Sequence, residues 1–173
     1  EVGFLKLWAD KAPGRHQLLR ELVSKGQLEM LNGGISVHDN ACPYYDDIIS
    51  NYEYGREWLN NTVGLMPRSG WLIDPFGYSL TTTRLYAEMG YDFYVFNRAT
   101  TTIKRRMMKH GNAAFNWVFP DRPEYNLLTS VLFDHNSSPG SLCREWPHSK
   151  TLVTSILEYN MDMMPVFNSI LEY

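Results

Sequence analysis

The stretch Trp71-Leu72-Ile73-Asp74-Pro75-Phe76-Gly77-Tyr78-Ser79 runs three apolar residues into a carboxylate and then blocks strand continuation with proline. A bare carboxylate at the end of a buried run costs free energy unless it is paired, hydrogen-bonded or bound to a metal. Asp74 is therefore either a cap for the turn or helix that follows, or a polar group held in place for function. Two other polar groups stand at comparable places: His38-Asp39 after Asn32-Gly33-Gly34, and Arg98 after the run DFYVF. A site built from several loops would use them together with Asp74 and Phe76, whereas a purely structural reading pairs Asp39 with Arg98 to hold two loops.

The elements that must position these residues are legible as changes of hydrophobic period. From Arg15, the segment HQLLRELVSK places Leu18, Leu19, Leu22 and Val23 on one helical face, and Lys25-Gly26 supplies a stop. The short run LEML reads as a strand ending near Leu31. In YDDIISNYEYGREWLNN, Ile48, Ile49, Tyr52 and Leu59 recur at helical spacing, with Asp46 and Asp47 near the start complementing the dipole. GWLI reads as a buried strand, Ser79-Leu80-Thr81 opens a helix carrying Leu85, Tyr86 and Met89, and DFYVF is the next strand. TIKRRMMKH is a basic helix and AFNWVF a fourth strand closed by Pro120. Beyond it, PDRPEYNLL and SSPGSLCREWPHS have loop chemistry, and Leu152, Ile156 and Tyr159 return to helical spacing. Short apolar strands alternating with helices predict an α/β fold: a parallel sheet with flanking helices, its ligand site at the carboxyl ends of the strands. That placement favours a functional Asp74.

Composition bounds the partners. The 173 residues are 44% hydrophobic and 14% aromatic, enough for one sizeable core. A formal net charge of -3 without long single-sign runs gives no footprint for nucleic acid. No apolar run approaches the roughly 20 residues of a membrane span, and the first residues lack a signal-peptide pattern. There is no initiator Met, so an upstream part is expected. Cys42 and Cys143 have neither zinc-knuckle nor disulfide-framework spacing, although one disulfide between them is open. Two sequons, at Asn60 and Asn136, fit a secretory-pathway protein. His110, His135 and His148 have no ligand spacing. Trp117 and Trp146 read as core or turn residues rather than stacking platforms for a ligand, and the Met-rich RRMM and MDMM as helix packing.

At WLIDPFGYS the sequence resembles the class II α-mannosidases, glycoside hydrolase family 38, and is nearer their lysosomal-type branch. The resemblance extends upstream through SKGQLEMLNGGISVHDNACPYYDDIISNYEYGREWLNN and downstream through LYAEMGYDFYVFNRAT, covering about residues 1–146. It implies that residues 1–173 are part of an N-terminal α/β barrel catalytic domain, with no second domain in this chain. It implies that Asp74 is both the glycosylation nucleophile and a ligand to a zinc cofactor, and that Phe76 and Arg98 line the sugar site. The implied activity is that of a zinc-dependent retaining enzyme removing terminal α-linked mannose from N-glycan oligosaccharides, in a lysosomal or other secretory-pathway compartment. Physically, a retaining glycosidase needs an attacking carboxylate with a second carboxyl group about 5 Å away.

The same resemblance leaves much of the site elsewhere. It places a His-x-Asp metal motif upstream of residue 1, and a further zinc His and the acid/base Asp downstream of residue 173, so the chain alone is expected to be inactive. His38 stands where the family has Asn and is not a zinc ligand. Tyr78 replaces a histidine of the motif, Asn40 an acidic residue, and Tyr44 a histidine. Near Asn136 a sugar-site tyrosine is missing, and Cys143 lacks its partner cysteine. These departures keep a second reading open, a non-catalytic carbohydrate-binding relative. A phospho-accepting signalling domain also puts Asp at a strand end, but its acidic pair and later Lys are not found. Linkage specificity and oligomeric state are open at this level.

Overall fold

The computed structural model describes residues 1–132. Five helices and four strands follow in the order α1 (Val2–Ala9), α2 (Arg15–Ser24), α3 (Tyr45–Val63), β1 (Ser69–Leu72), α4 (Leu80–Glu88), β2 (Phe93–Phe96), α5 (Thr101–Lys109), β3 (Ala114–Val118) and β4 (Asn126–Val131). The sheet order is β1-β2-β4-β3. The β1 and β2 strands run parallel, with Trp71 opposite Val95 and Leu72 opposite Phe96, and β2 runs parallel to β4. Helix α4 makes the first crossover, as the alternation predicts.

Local chemistry explains the boundaries. The Ser79 hydroxyl caps α4 by accepting from the Thr81 N–H at 3.1 Å, and Thr100 caps α5 through the Ile103 N–H. At the far end of α3, Gly64 takes a left-handed φ of 72° and its N–H bonds the Asn60 carbonyl. Helix α3 is the longest among the described residues, and Ile48, Tyr52, Gly55, Leu59 and Thr62 form its buried stripe. Ile48 and Tyr52 join Leu72, Tyr86, Tyr94, Phe119 and Leu127 in the main core, while Leu59 packs with Val2, Leu19 and Met30 in a second cluster.

Four expectations are corrected. The run ending at Leu31 is not a strand. The N–H groups of Gln27 and Leu28 both turn back to the Leu22 carbonyl, Leu28 and Leu31 are exposed, and Asn32 turns the chain with φ 59°, so that Asn32 alone meets the β1 edge. The sheet is not wholly parallel, because β3 pairs with β4 in antiparallel register through the short connection after Pro120. The supposed loop PDRPEYNLL runs into β4, whose Leu127, Thr129 and Val131 face inward. Finally, β1 is the outer strand among the described residues and is covered on one face, with Gly70 and Leu72 buried and Trp71 exposed. Helix α5 buries none of its residues, so its methionines are only partly packed. Trp117 packs against the main core, as expected. The helical expectation for residues 152–159, along with His135, Asn136, Cys143, Trp146 and His148, lies outside the described residues.

Candidate active site

Asp74 stands two residues beyond the end of β1, and the chain then leaves the sheet through buried Pro75 and the positive φ of Gly77 toward the α4 cap. Arg98 stands two residues beyond the end of β2. Because these strands are parallel neighbours in matched register, both residues are delivered to one rim. The Arg98 Nε donates to the Asp74 carbonyl at 2.8 Å and to Asp74 Oδ1 at 3.0 Å, and Nη2 also bonds Oδ1. The guanidinium lies 4.4 Å from the centre of the Phe76 ring. Asp74, Phe76 and Arg98 thus form one constellation.

That constellation answers the charge at the strand end. The carboxylate is paired with a guanidinium and its side chain is 56% exposed, so the desolvation cost that a sealed aspartate would carry is avoided. Phe76 is 80% exposed and presents an aromatic surface beside the ion pair. An oriented carboxylate next to an open aromatic face suits attack on, or binding of, a ring with one apolar face and several hydroxyls.

Residues that sequence reasoning treated as departures help build the rim. The Tyr78 hydroxyl accepts the backbone N–H groups of Asn97 and Arg98 at 3.2 and 3.0 Å, fixing the chain where Arg98 leaves β2. The Asn40 side-chain oxygen accepts the Ser79 N–H at 2.9 Å, tying the loop after NGG to the start of α4. The amide nitrogens of Asn40 and of Asn97, which is 1% exposed, are buried and have no hydrogen-bond partner among the described residues. No sequence signal distinguished these amides, because their importance lies in contacts with distant backbone. Asp39 caps its own loop by accepting the Ala41 N–H at 3.1 Å.

His38 is buried away from the carboxylate, with Nδ1 3.4 Å from the Tyr52 hydroxyl and Nε2 3.5 Å from the Thr82 hydroxyl. Burial pulls its pKa down to about 4, against the opposing pull of Asp39. The phenols of Tyr52, Tyr86 and Tyr94 are pushed up by burial, and that of Tyr91 to about 12. They stay neutral, and Tyr52, Tyr86 and Tyr91 act as hydrogen-bonding groups. His110 lines a surface cavity of about 360 Å³ with Ile103, Arg106, Met107 and Asn112. Cys42 is exposed and has no disulfide partner among the described residues, and Asn60 of the first sequon is exposed on α3.

Among the described residues no group of three or more His, Cys, Asp or Glu side chains could hold a metal ion. Asp74 is a single donor already engaged by Arg98, so the described residues do not by themselves fit a zinc ion. Among them, no helix is long and apolar enough to cross a membrane.

Comparison with known proteins places this geometry. The fold is similar to a 4-alpha-glucanotransferase from Thermococcus litoralis, with a TM-score of 0.61 at 16% identity, covering 90% of this chain and 22% of that one. In sequence the chain is 35% identical over 134 residues to the lysosomal alpha-mannosidase of Dictyostelium discoideum, covering 76% of this chain and 13% of the relative. It is 36% identical to alpha-mannosidase 2 of Arabidopsis thaliana and 34% identical to alpha-mannosidase 2 of Homo sapiens, in each case covering 68% of this chain and 10% of the relative. The chain therefore spans only a small part of the length of these relatives. Residues 1–169 match the N-terminal domain of the glycosyl hydrolases family 38, well beyond the stretch around WLIDPFGYS, and the chain belongs to that family.

Proposed function

We propose that this chain is part of the catalytic domain of a retaining α-mannosidase in which Asp74 is the nucleophile, with Phe76 and Arg98 lining the sugar site. The observation that carries the reading is the Asp74–Arg98–Phe76 constellation at the shared end of two parallel strands. In this reading Arg98 fixes the carboxylate's orientation and Phe76 offers its ring to the sugar. The buried amides of Asn40 and Asn97 are donors available to the rim's ligand or to residues that complete it. A mannose-containing N-glycan oligosaccharide is the proposed substrate, and a lysosomal or other secretory-pathway compartment the proposed location. Zinc is the proposed cofactor of the intact protein, with Asp74 the donor offered from this segment and the remaining donors elsewhere.

The test is chemical. In the intact protein, Asp74→Ala should abolish hydrolysis of a chromogenic α-mannoside, and a fluorinated mannosyl fluoride should trap a covalent adduct on the peptide containing WLIDPFGYS. Labelling of another carboxylate, or near-normal activity in Asp74→Ala, would return Asp74 to the role of turn cap. A second reading, a carbohydrate-binding relative without turnover, is favoured by the engagement of the Asp74 carboxylate with Arg98. It predicts retained mannoside binding by a wild-type protein that neither hydrolyses nor becomes labelled.

A further inference from the structure

As the outer strand of the sheet among the described residues, β1 leaves the Trp71 N–H and C=O on the side away from β2, where no described strand pairs with them. Unpaired backbone groups at such a place would let the strand end shift or fray. The Asn32 side chain meets both: its Nδ2 donates to the Trp71 carbonyl at 2.5 Å, and its Oδ1 accepts the Trp71 N–H at 2.6 Å. The Asn32 backbone N–H adds a bond to the Ser69 carbonyl at 2.8 Å. One residue thus imitates the hydrogen-bonding edge of a neighbouring strand.

Asn32 is itself anchored from the core. Its Oδ1 also accepts from the Tyr86 hydroxyl at 3.1 Å, and its carbonyl accepts from the Tyr91 hydroxyl. Tyr86 bonds Tyr52 at 2.5 Å, which reaches His38, so α3 and α4 both brace the residue. Its φ of 59° is the only positive value among the described residues other than glycine, a conformation that Asn tolerates better than most. Asp74 lies three residues beyond the clamped Trp71.

We propose that Asn32 is a positioning residue for Asp74, clamping the outer edge of β1 so that the carboxylate meets Arg98 in a fixed orientation. The proposal rests on the reading of Asp74 as nucleophile, and its test separates the two. In the intact protein, Asn32→Ala should lower kcat by about 30- to 100-fold with KM changed less than about two-fold, because a small misplacement of a reacting group is costly. Asn32→Asp keeps the shape and the acceptor but, when ionised, loses the donor to the Trp71 carbonyl, so its activity relative to wild type should recover as the pH is lowered and the carboxyl becomes a donor. Leu19→Ala, which weakens the second cluster, should lower Tm without that fall in kcat. Hydrogen exchange of the peptide spanning residues 69–76 should accelerate at least ten-fold in Asn32→Ala while β2 stays protected, a readout that needs no turnover. Unchanged exchange in that peptide overturns the proposal, as does wild-type kcat in both Asn32 variants of an active enzyme. Absence of hydrolysis by the wild type counts against the mannosidase reading instead, and the exchange result then decides the clamp alone.

Discussion

His38 sits in a buried cage of hydroxyls where protonation would place an extra positive charge among neutral partners. Burial lowers its pKa to about 4 in the folded chain, against an ordinary value of 6.5. The unfolded chain therefore binds more protons between those values, so the stability contribution is complete above about pH 6.5 and is lost as the pH falls toward 4. At about pH 5 the loss amounts to roughly 2 kcal/mol. His38→Gln retains hydrogen-bonding capacity without the titration, so urea midpoints at pH 7 and pH 5 should differ less for the variant than for wild type. Equal differences would remove His38 as a source of acid sensitivity. The same residue shows what the sequence could convey about the site. Asp74, Phe76 and Arg98 were legible because each follows an apolar strand by a short, fixed distance, and parallel register brings such ends together. Asn32 and Tyr78 were not, because their partners are backbone groups 39 and 19 or 20 residues away and no local period encodes that contact.

Between elements, Gly55 on α3 lies close against the NGG loop. In a free helix, replacing Gly by Ala gains about 1 kcal/mol from propensity. Here an added Cβ would collide with the Gly33 carbonyl oxygen and stand 2.9 Å from the Ile35 N, both backbone atoms in or beside the NGG loop. Gly55→Ala should therefore destabilise by about 1–3 kcal/mol, the usual cost of overpacking, and a urea titration showing higher stability would contradict the packing described. This contact also explains part of the mistaken strand at Leu31: the loop is shaped by α3 and β1 rather than by pairing along its own length. The strand β4 was hidden for a different reason. Its inward Leu127, Thr129 and Val131 alternate correctly, but outward Leu128 and a polar Thr inside blur the period, and the preceding prolines look like loop. Where hydrophobic period and capping agree, as at Ser79 and along α3, helix boundaries follow the residues closely.

At the scale of the whole molecule, the described residues offer one carboxylate, one guanidinium and one aromatic face to the proposed reaction, which needs two carboxyl groups. They also lack a cluster of three metal donors. The chain spans 13% of the lysosomal relative and 10% of the alpha-mannosidase 2 relatives, so the machinery it carries is a corner of the proposed site. Two consequences can be measured on the 173-residue chain by itself. With a chromogenic α-mannoside it is expected to remain at background, since the family resemblance assigns the acid/base Asp that would protonate a leaving group to a part of the domain outside this chain. Stoichiometric zinc should leave its Tm unchanged, because a ligand raises stability only in proportion to how far its concentration exceeds the dissociation constant, and one carboxylate already paired with Arg98 cannot bind zinc tightly. A clear rise in Tm that a chelator reverses would place further donors beside Asp74 within this chain. Turnover that survives Asp74→Ala would instead move the chemistry to another residue.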